Sequence, residues 1–157
     1  MDTKPIRRSE HILQLSKEHH FSLLFCWKIR QGIQKHISPD RIIAYVKYFW
    51  DLHVIPHFAE EEQIVFLHLR DDKVGRAMSE HEELRQAFRR LKEHPDEDPI
   101  GQLSNIADKM DTHVRYEERE LFPHLEKNLA KETLESIGRQ IDPQTPQDNY
   151  TDEFWRK

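Results

Sequence analysis

The most informative feature of this sequence is a His-x-x-x-Glu motif that occurs twice. The first copy is His57 with Glu61, the second is His113 with Glu117, and matching residues of the two copies lie 56 positions apart. Residues four positions apart share one face of an α-helix, so each copy directs an imidazole and a carboxylate toward one point. This combination of ligands suits iron, and also zinc or manganese. Two such helices facing each other would be able to hold a pair of metal ions.

Histidines also lie near the middle of two further predicted helices. The first helix contains the adjacent His19 and His20, and the third contains His81. Polar side chains at core positions cost free energy unless something satisfies them. Metal sites in bundle cores are built from side chains on facing helices. A bound metal pair would therefore explain the polar residues at the core positions of all four helices. We expect Glu61 and Glu117 to bridge the two cations.

Four long helical patterns must position these residues. We predict the first from Ser9 to Lys35, the second from Ser38-Pro39 to about Arg70, the third after Asp71-Asp72, and the fourth from Asp98-Pro99. Serine or aspartate caps a helix start, and proline fits its first turn. Pro56 is expected to kink the second helix or reset its hydrogen bonds just before His57. Short loops between long helices favour antiparallel neighbours, so we predict an all-α, up-down-up-down four-helix bundle.

Apolar spacing predicts which side of each helix faces inward. For the first helix the predicted inner residues are Ile12 or Leu13, His20, Leu23 or Leu24, and Trp27. For the third they are Val74, Met78, His81, Leu84, Phe88 and Leu91. A segment from His94 to Asp98 is predicted to be a loop.

The C-terminal part is shorter and more polar. We predict a fifth helix from Lys131 to Ile137 that ends at Gly138, where glycine commonly stops a helix. Residues 1–141 then form one domain, and residues 142–157 form a polar tail. The tail is expected to be mobile unless Phe154 and Trp155 dock, and it is a candidate contact for a protein partner.

Composition narrows the class of protein. A net charge of −5, with both signs interspersed, argues against a nucleic-acid partner. Cys26 is the only cysteine, which excludes an intrachain disulfide and favours a reducing compartment, so we expect a cytoplasmic protein. The most apolar stretch, Phe21 to Trp27, is too short to cross a bilayer, and no membrane association is expected.

From about Ser9 to Asn128 the chain resembles a hemerythrin-like, or HHE cation-binding, domain. The motifs that carry this resemblance are Glu18-His19-His20 with Leu23-Leu24, His57-Phe58 with Glu61-Glu62 and Phe66, His81-Glu82-Glu83-Leu84, and His113 with Glu117-Glu118 and Leu121-Phe122-Pro123. The resemblance implies a centre of two non-haem iron ions, joined by an oxo or hydroxo bridge. Carried over onto this sequence, it implies as metal ligands His20, His57, Glu61, His81, His113 and Glu117.

Two departures separate the chain from oxygen-carrying hemerythrins. Those proteins have two third-helix histidines one turn apart, whereas Ala77 and Arg85 flank His81 here. They also end with a histidine and an aspartate five residues on, a position occupied here by Glu118. Four histidines with two glutamates look more like iron-sulfur repair proteins of the same superfamily. We therefore expect a vacant coordination position on the iron bound by His81.

Two further histidines, His19 and His53, lie close to the predicted ligands in the sequence. We prefer His20 over His19 because the spacing from His20 to Leu23 matches that from His81 to Leu84. His53, one turn before His57, is expected to support the site or fill the bundle rather than bind metal.

The resemblance implies binding of a small diatomic ligand, oxygen or nitric oxide, or of another small oxidant, for sensing or iron handling. The alternative is a di-iron redox enzyme or an iron-sulfur-centre repair protein that acts under peroxide or nitric oxide stress.

Overall fold

The computed structural model describes residues 8–141 and 148–156, and this part of the chain is helical without any β-strand. Helices α1 and α4 both pack along α5, and α1 also packs along α2, which forms a bundle. The up-down-up-down order stays a prediction. The α-helices are α1 (Leu13–Gln34), α2 (Pro39–Phe49), α3 (Ile55–Glu60), α4 (Asp72–Glu93), α5 (Pro99–Tyr116), α6 (Phe122–Asn128) and α7 (Lys131–Gln140).

Aspartate caps set two of the helix starts, as predicted. The Asp71 side chain accepts hydrogen bonds from the backbone N–H groups of Lys73 and Val74 at the start of α4. The Asp98 side chain accepts one from Gly101 at the start of α5. Each bond satisfies an N–H group that has no partner within its helix. The α1 start differs from the prediction, because Ser9 to Ile12 form a turn before the helix begins at Leu13.

The second and fourth helical runs contain wide π turns beside the predicted metal ligands. Trp50–Val54 joins α2 to α3, Glu61–Val65 follows α3, and Glu117–Leu121 joins α5 to α6. Pro56 and Pro123 each lie just after one of these turns. Since proline lacks the N–H group that would bond four residues back, it favours such a rearrangement. The predicted effect of Pro56 on the helix before His57 is confirmed.

Two apolar clusters lie along the bundle with a polar layer between them. The larger cluster includes Phe25, Phe49, Trp50, Phe58, Leu84, Phe88 and Met110. The smaller includes Leu15, Val65, Phe66, Val74, Ala77, Tyr116 and Phe122. In α1, for example, His19 lies between Leu15 of one cluster and Phe25 of the other. The buried histidines and glutamates interrupt the apolar core at the same level in each helical run.

The inward face of α1 differs from the predicted one. The helix buries Leu15, His19, Ser22, Cys26 and Ile29, a spacing of four, three, four and three residues. Of the predicted inner residues Ile12 is buried, but His20 and Trp27 are exposed, Trp27 at 47%. Helix α1 has apolar residues on both faces, so their spacing alone favoured the wrong side. A smaller error of the same kind affects α4, where Ala77 is buried and Met78 is exposed.

The described end of the tail docks onto the bundle. Phe154 and Trp155 are buried. Lys28 forms an ion pair with Asp148 at 2.8 Å, and its ammonium group lies 4.1 Å from the centre of a Trp155 ring. Gly32 of α1 leaves the space that Phe154 fills, since a Cβ there would lie 2.8 Å from the Phe154 ring. The tail was expected to be mobile unless Phe154 and Trp155 dock, and both of them do dock. Residues 142–147 of the predicted tail lie outside the described residues.

Gly138 does not end α7, which continues to Gln140. Its role is close packing, because a Cβ there would lie 2.9 Å from Nδ1 and 3.1 Å from the backbone Cα of His11. We expect Gly138→Ala to lower the free energy of unfolding by about 1–3 kcal/mol, because His11 and the backbone behind it must shift.

Gly75→Ala is the matched control for this substitution. Gly75 is exposed in α4, and a Cβ there would meet no atom within 4 Å. This change should raise stability by about 0.5–1 kcal/mol, since alanine favours the helix more than glycine does. Denaturant titration measures both variants, and equal stabilisation by the two would contradict the close packing of Gly138.

Candidate metal centre

Six buried side chains converge in the polar layer of the bundle. They form two groups that share both glutamates, and within each group the potential ligand atoms lie within 4.8 Å of one another. One group contains His19, His57, Glu61 and Glu117, and the other contains Glu61, His81, His113 and Glu117. Glu61, Glu117 and His81 are completely inaccessible to solvent. The arrangement therefore offers two adjacent positions for a metal ion, each with two imidazoles and two carboxylates.

The inner nitrogen of every histidine faces the two carboxylates. The Nε2 atom of His19 is 2.8 Å from Glu117, and that of His81 is 3.0 Å from Glu61. Within the two His-x-x-x-Glu motifs the corresponding distances are 3.4 Å for His57 and 3.1 Å for His113. The four imidazoles therefore surround the pair of carboxylates.

The outer nitrogen of every histidine donates a hydrogen bond to a second carboxylate. The four bonds from Nδ1 join His19 to Glu118, His57 to Glu18, His81 to Glu62 and His113 to Glu80, at 2.6–2.8 Å. A carboxylate that accepts from one ring nitrogen fixes the tautomer and leaves the other nitrogen free to bind a metal. All four rings thus present Nε2 as a ligand atom toward the centre.

These contacts repeat with an approximate twofold pattern. His19 of α1 pairs with a glutamate after α5, just as His81 of α4 pairs with one after α3. The ring centres of His19 and His57 are 4.8 Å apart, and those of His81 and His113 are 4.7 Å apart. The two groups are therefore equivalent in donors as well as in the contacts that hold the histidines.

Cations hold most of the outer carboxylates in turn. Arg85 forms an ion pair with Glu62 at 2.9 Å, and Arg76 pairs with Glu80 at 3.0 Å. Glu118 accepts a hydrogen bond from Ser16 and lies 3.5 Å from the largely buried Arg8. Glu18 receives a hydrogen bond from Gln14. These contacts keep the outer carboxylates ionised and in position.

The electrostatics of the metal-free centre favour protonated histidines. Burial by itself lowers the pKa of His81, but the surrounding carboxylates of Glu117, Glu61 and Glu62 outweigh it and raise the pKa to about 10. The pKa of His113 rises in the same way, to about 9. Burial also opposes ionisation of Glu117, yet the neighbouring histidines hold its pKa well below the usual range. Without metal the layer is thus a cluster of imidazolium and carboxylate groups.

Eight inner atoms of this cluster have no hydrogen-bond partner of acceptable geometry among the described residues. They are Nε2 of the four histidines and both carboxylate oxygens of Glu61 and Glu117. Buried polar atoms rarely lack partners, and such a group of them needs an explanation. Imidazole nitrogens and carboxylate oxygens around two adjacent positions fit a pair of transition-metal ions.

A comparison with protein families agrees with this donor set. The model of the hemerythrin HHE cation-binding domain matches residues 10–125. This chain belongs to that family. Searches of curated proteins and of solved structures gave no significant match. No helix of the described segments is both long and apolar enough to span a membrane.

The α1 histidine that lies in the cluster is His19, and not the predicted His20. His19 is 2% exposed and lies in the cluster, whereas His20 is exposed and its ring contacts Phe21. The preference for His20 relied on the spacing to Leu23, which is only partly buried and does not bring His20 into the core. The other predicted residues, His57, Glu61, His81, His113 and Glu117, all meet in the cluster.

The vacancy predicted on the His81 side stays a prediction, but the donor set does not by itself favour that side. Each group has two histidines and both glutamates, so the donor set does not leave one position poorer than the other. Ala77, where a further histidine was expected in oxygen carriers, is fully buried in the smaller apolar cluster.

Sequence reasoning missed the outer carboxylates of this HHE domain. A signal was present, because Glu18-His19 and Glu80-His81 form the same dipeptide in α1 and α4. That repeat would also have favoured His19 over His20. His53 lies outside both groups, with its ring stacked on Phe49 at 4.7 Å, which fits the predicted filling role.

The raised histidine pKa values predict that metal uptake by this HHE domain releases protons. The raised pKa values keep the His81 and His113 imidazoles protonated at pH 7 in the metal-free form, and a metal must displace the proton at Nε2 of each. Affinity should therefore rise with pH until it passes the pKa values of about 9 and about 10, and fall on acidification. Calorimetry at pH 7 in buffers of different ionisation enthalpy measures the protons released, and an enthalpy independent of buffer would contradict this expectation.

Proposed function

We propose that this chain is a non-haem di-iron protein whose buried metal pair binds a small diatomic ligand, oxygen or nitric oxide, for sensing or iron handling. The observation that carries the proposal is the set of eight unpartnered inner donor atoms between two apolar clusters. These atoms lie 2.8–3.4 Å from one another but none makes a hydrogen bond of acceptable geometry, and a half-satisfied buried network is costly without a further partner.

The residues divide between the two metal positions. His19 and His57 would hold one ion, and His81 and His113 the other. Glu61 and Glu117 belong to both groups, which suits them as bridging ligands. When bound, iron would supply a redox-active centre that takes up small exogenous ligands. The chain itself orients the imidazoles through Nδ1 and excludes bulk water with its apolar clusters.

The number of donors supports ligand binding over a closed structural site. Each group offers four protein ligand atoms, fewer than an octahedral iron accepts. A metal held by these residues would therefore keep positions for small exogenous ligands. Open positions are also what a catalytic metal site requires.

A di-iron redox enzyme or iron-sulfur-centre repair protein is the second candidate. The observation in its favour is the set of four histidines and two glutamates, which resembles such repair proteins. Sustained turnover of peroxide or nitric oxide with an added electron donor would favour it, and binding without turnover would favour the sensor. We also propose that the bundle has up-down-up-down topology, that the protein is cytoplasmic, and that the tail contacts a protein partner.

Metal analysis tests the main proposal. Protein purified under low oxygen and reconstituted with Fe²⁺ should bind two metal ions per chain, one for each donor group. After oxidation it should show the near-ultraviolet charge-transfer bands of an oxo-bridged ferric pair. Zinc or manganese replacing iron in the purified protein would keep the site but change the assigned metal. Saturation at one ion, or no binding, would contradict the dinuclear centre.

A further inference from the structure

A surface cavity lies directly outside one half of the candidate metal centre. It is formed by the π turn before α3, by α3 itself, by the π turn after it and by α4, and its volume is about 130 Å³. Its lining includes Trp50, Val54, Phe58, Ala59, Glu62 and Arg85. The proposed function does not assign any role to this cavity.

The Phe58 side chain lies between the cavity and the centre. Phe58 lines the cavity, is 2% exposed and stacks on the His81 ring with 3.8 Å between ring centres. Its edge also faces His113 at 5.8 Å. Glu62, another lining residue, accepts the hydrogen bond from Nδ1 of His81. Both histidines of the same metal position thus lie immediately behind Phe58.

The cavity suits a small neutral molecule. Its volume exceeds the roughly 30 Å³ that one water occupies in the liquid, yet it is far smaller than pockets for organic substrates. Trp50, Val54 and Phe58 make its inner wall apolar. The two charged residues of the lining, Glu62 and Arg85, form an ion pair at 2.9 Å, so their charges cancel. A diatomic gas matches this combination of size and polarity better than an ion does.

The two copies of the repeat differ at this place, which provides an internal comparison. Phe58 corresponds to Val114, and Ala59, which lines the cavity, corresponds to Arg115. On that other face Asp111 forms ion pairs with both Arg115 and Arg30. The approximate twofold pattern therefore ends outside the outer carboxylates, where one face carries a cavity and the other carries charged side chains.

We infer that the cavity beside Trp50 is the entry site for a neutral diatomic gas and that Phe58 gates its passage to the His81 and His113 half of the centre. The inference rests on the proposed function for the metal pair behind the gate. It adds that the two metal positions, although equal in donors, differ in access. Phe58 is a positioning and gating residue and is not a ligand.

Xenon binding tests the cavity without relying on metal chemistry. Crystals of the protein as purified, pressurised with xenon, should show a xenon atom against Trp50 and Ala59. Ala59→Phe should remove it by filling the space. Ala87→Phe is the matched control, because Ala87 is also half-buried but lines a different surface cavity, between α4 and the start of α5. Absence of xenon beside Trp50 in the unmodified protein would overturn the inference.

Nitric oxide binding to the iron-loaded protein tests the route. Stopped-flow measurements should show association slowed by about tenfold or more in Ala59→Phe, accelerated in Phe58→Val, and unchanged in Ala87→Phe. Metal content is measured for every variant. Unchanged association rates with two irons bound would overturn the route while leaving the proposed function intact. If no variant binds a metal pair, the proposed function fails, and the xenon result alone decides whether the cavity takes up a gas.

Discussion

Replacing His19 with alanine should abolish stable binding of the metal pair, whereas replacing His20 should leave two ions per chain. His19 contributes Nε2 beside Glu117 at 2.8 Å, while the His20 ring faces solvent on the other side of α1. Loss of an imidazole ligand also leaves the Glu118 carboxylate without the ring that it accepts from. We expect the affinity of the His19 position to fall by at least the 10–100-fold that loss of a ligand's supporting contact typically causes.

The two variants are well matched because the two histidines are neighbours in the sequence. Both variants lose the same side chain from the same helix, so differences in helix propensity cancel. Metal content after gel filtration, together with a competition titration against a chelator, gives stoichiometry and affinity. Equal loss of metal in both variants, or greater loss in His20→Ala, would mean that the α1 ligand has been assigned wrongly.

The sequence predicted the helices well because their ends carry local signals. Asp71 and the Asp98-Pro99 pair act within a few residues, and the structure shows both caps. The His-x-x-x-Glu repeat is equally local, since one helix turn brings its two members together. For that reason His57, Glu61, His113 and Glu117 could be placed in one layer without knowledge of the tertiary structure.

The face of α1 could not be predicted in this way. Its apolar residues surround the helix, and only contact with α2 and α5 decides which of them are buried. The outer carboxylates could not be predicted for the same reason. Glu118 hydrogen-bonds a histidine 99 residues away, and Glu80 hydrogen-bonds one 33 residues away. Such pairs depend on how helices approach one another, which spacing within a single helix does not determine.

The π turns connect the local sequence to the chemistry of the site. Glu61 begins one such turn and Glu117 begins another, at matching positions of the repeat. A π turn widens the helix and changes the direction of the side chains around it, and it is frequent at functional sites. Only one of the two is followed by proline, at Pro123. The shared feature is therefore the glutamate itself, which both turns place between the two groups of histidines.

Removal of metal should destabilise the protein strongly. The metal-free layer buries imidazolium and carboxylate groups that pair only with one another and without good hydrogen-bond geometry, and burying such charges is costly. A ligand that binds only the folded state at about 1,000 times its dissociation constant adds about 4 kcal/mol of stability. For a chain of this size that corresponds to a fall in melting temperature of about 10 °C on metal removal.

Thermal unfolding followed by circular dichroism, with and without a chelator, measures this effect. The His19→Ala variant is the control, because chelator should change its melting temperature little if it no longer holds the metal pair. His20→Ala should respond like the unmodified protein. A metal-free form that melts at the same temperature as the metal-loaded protein would show that the polar layer is already satisfied by its own ion pairs. The eight inner atoms would then have to be explained without a metal.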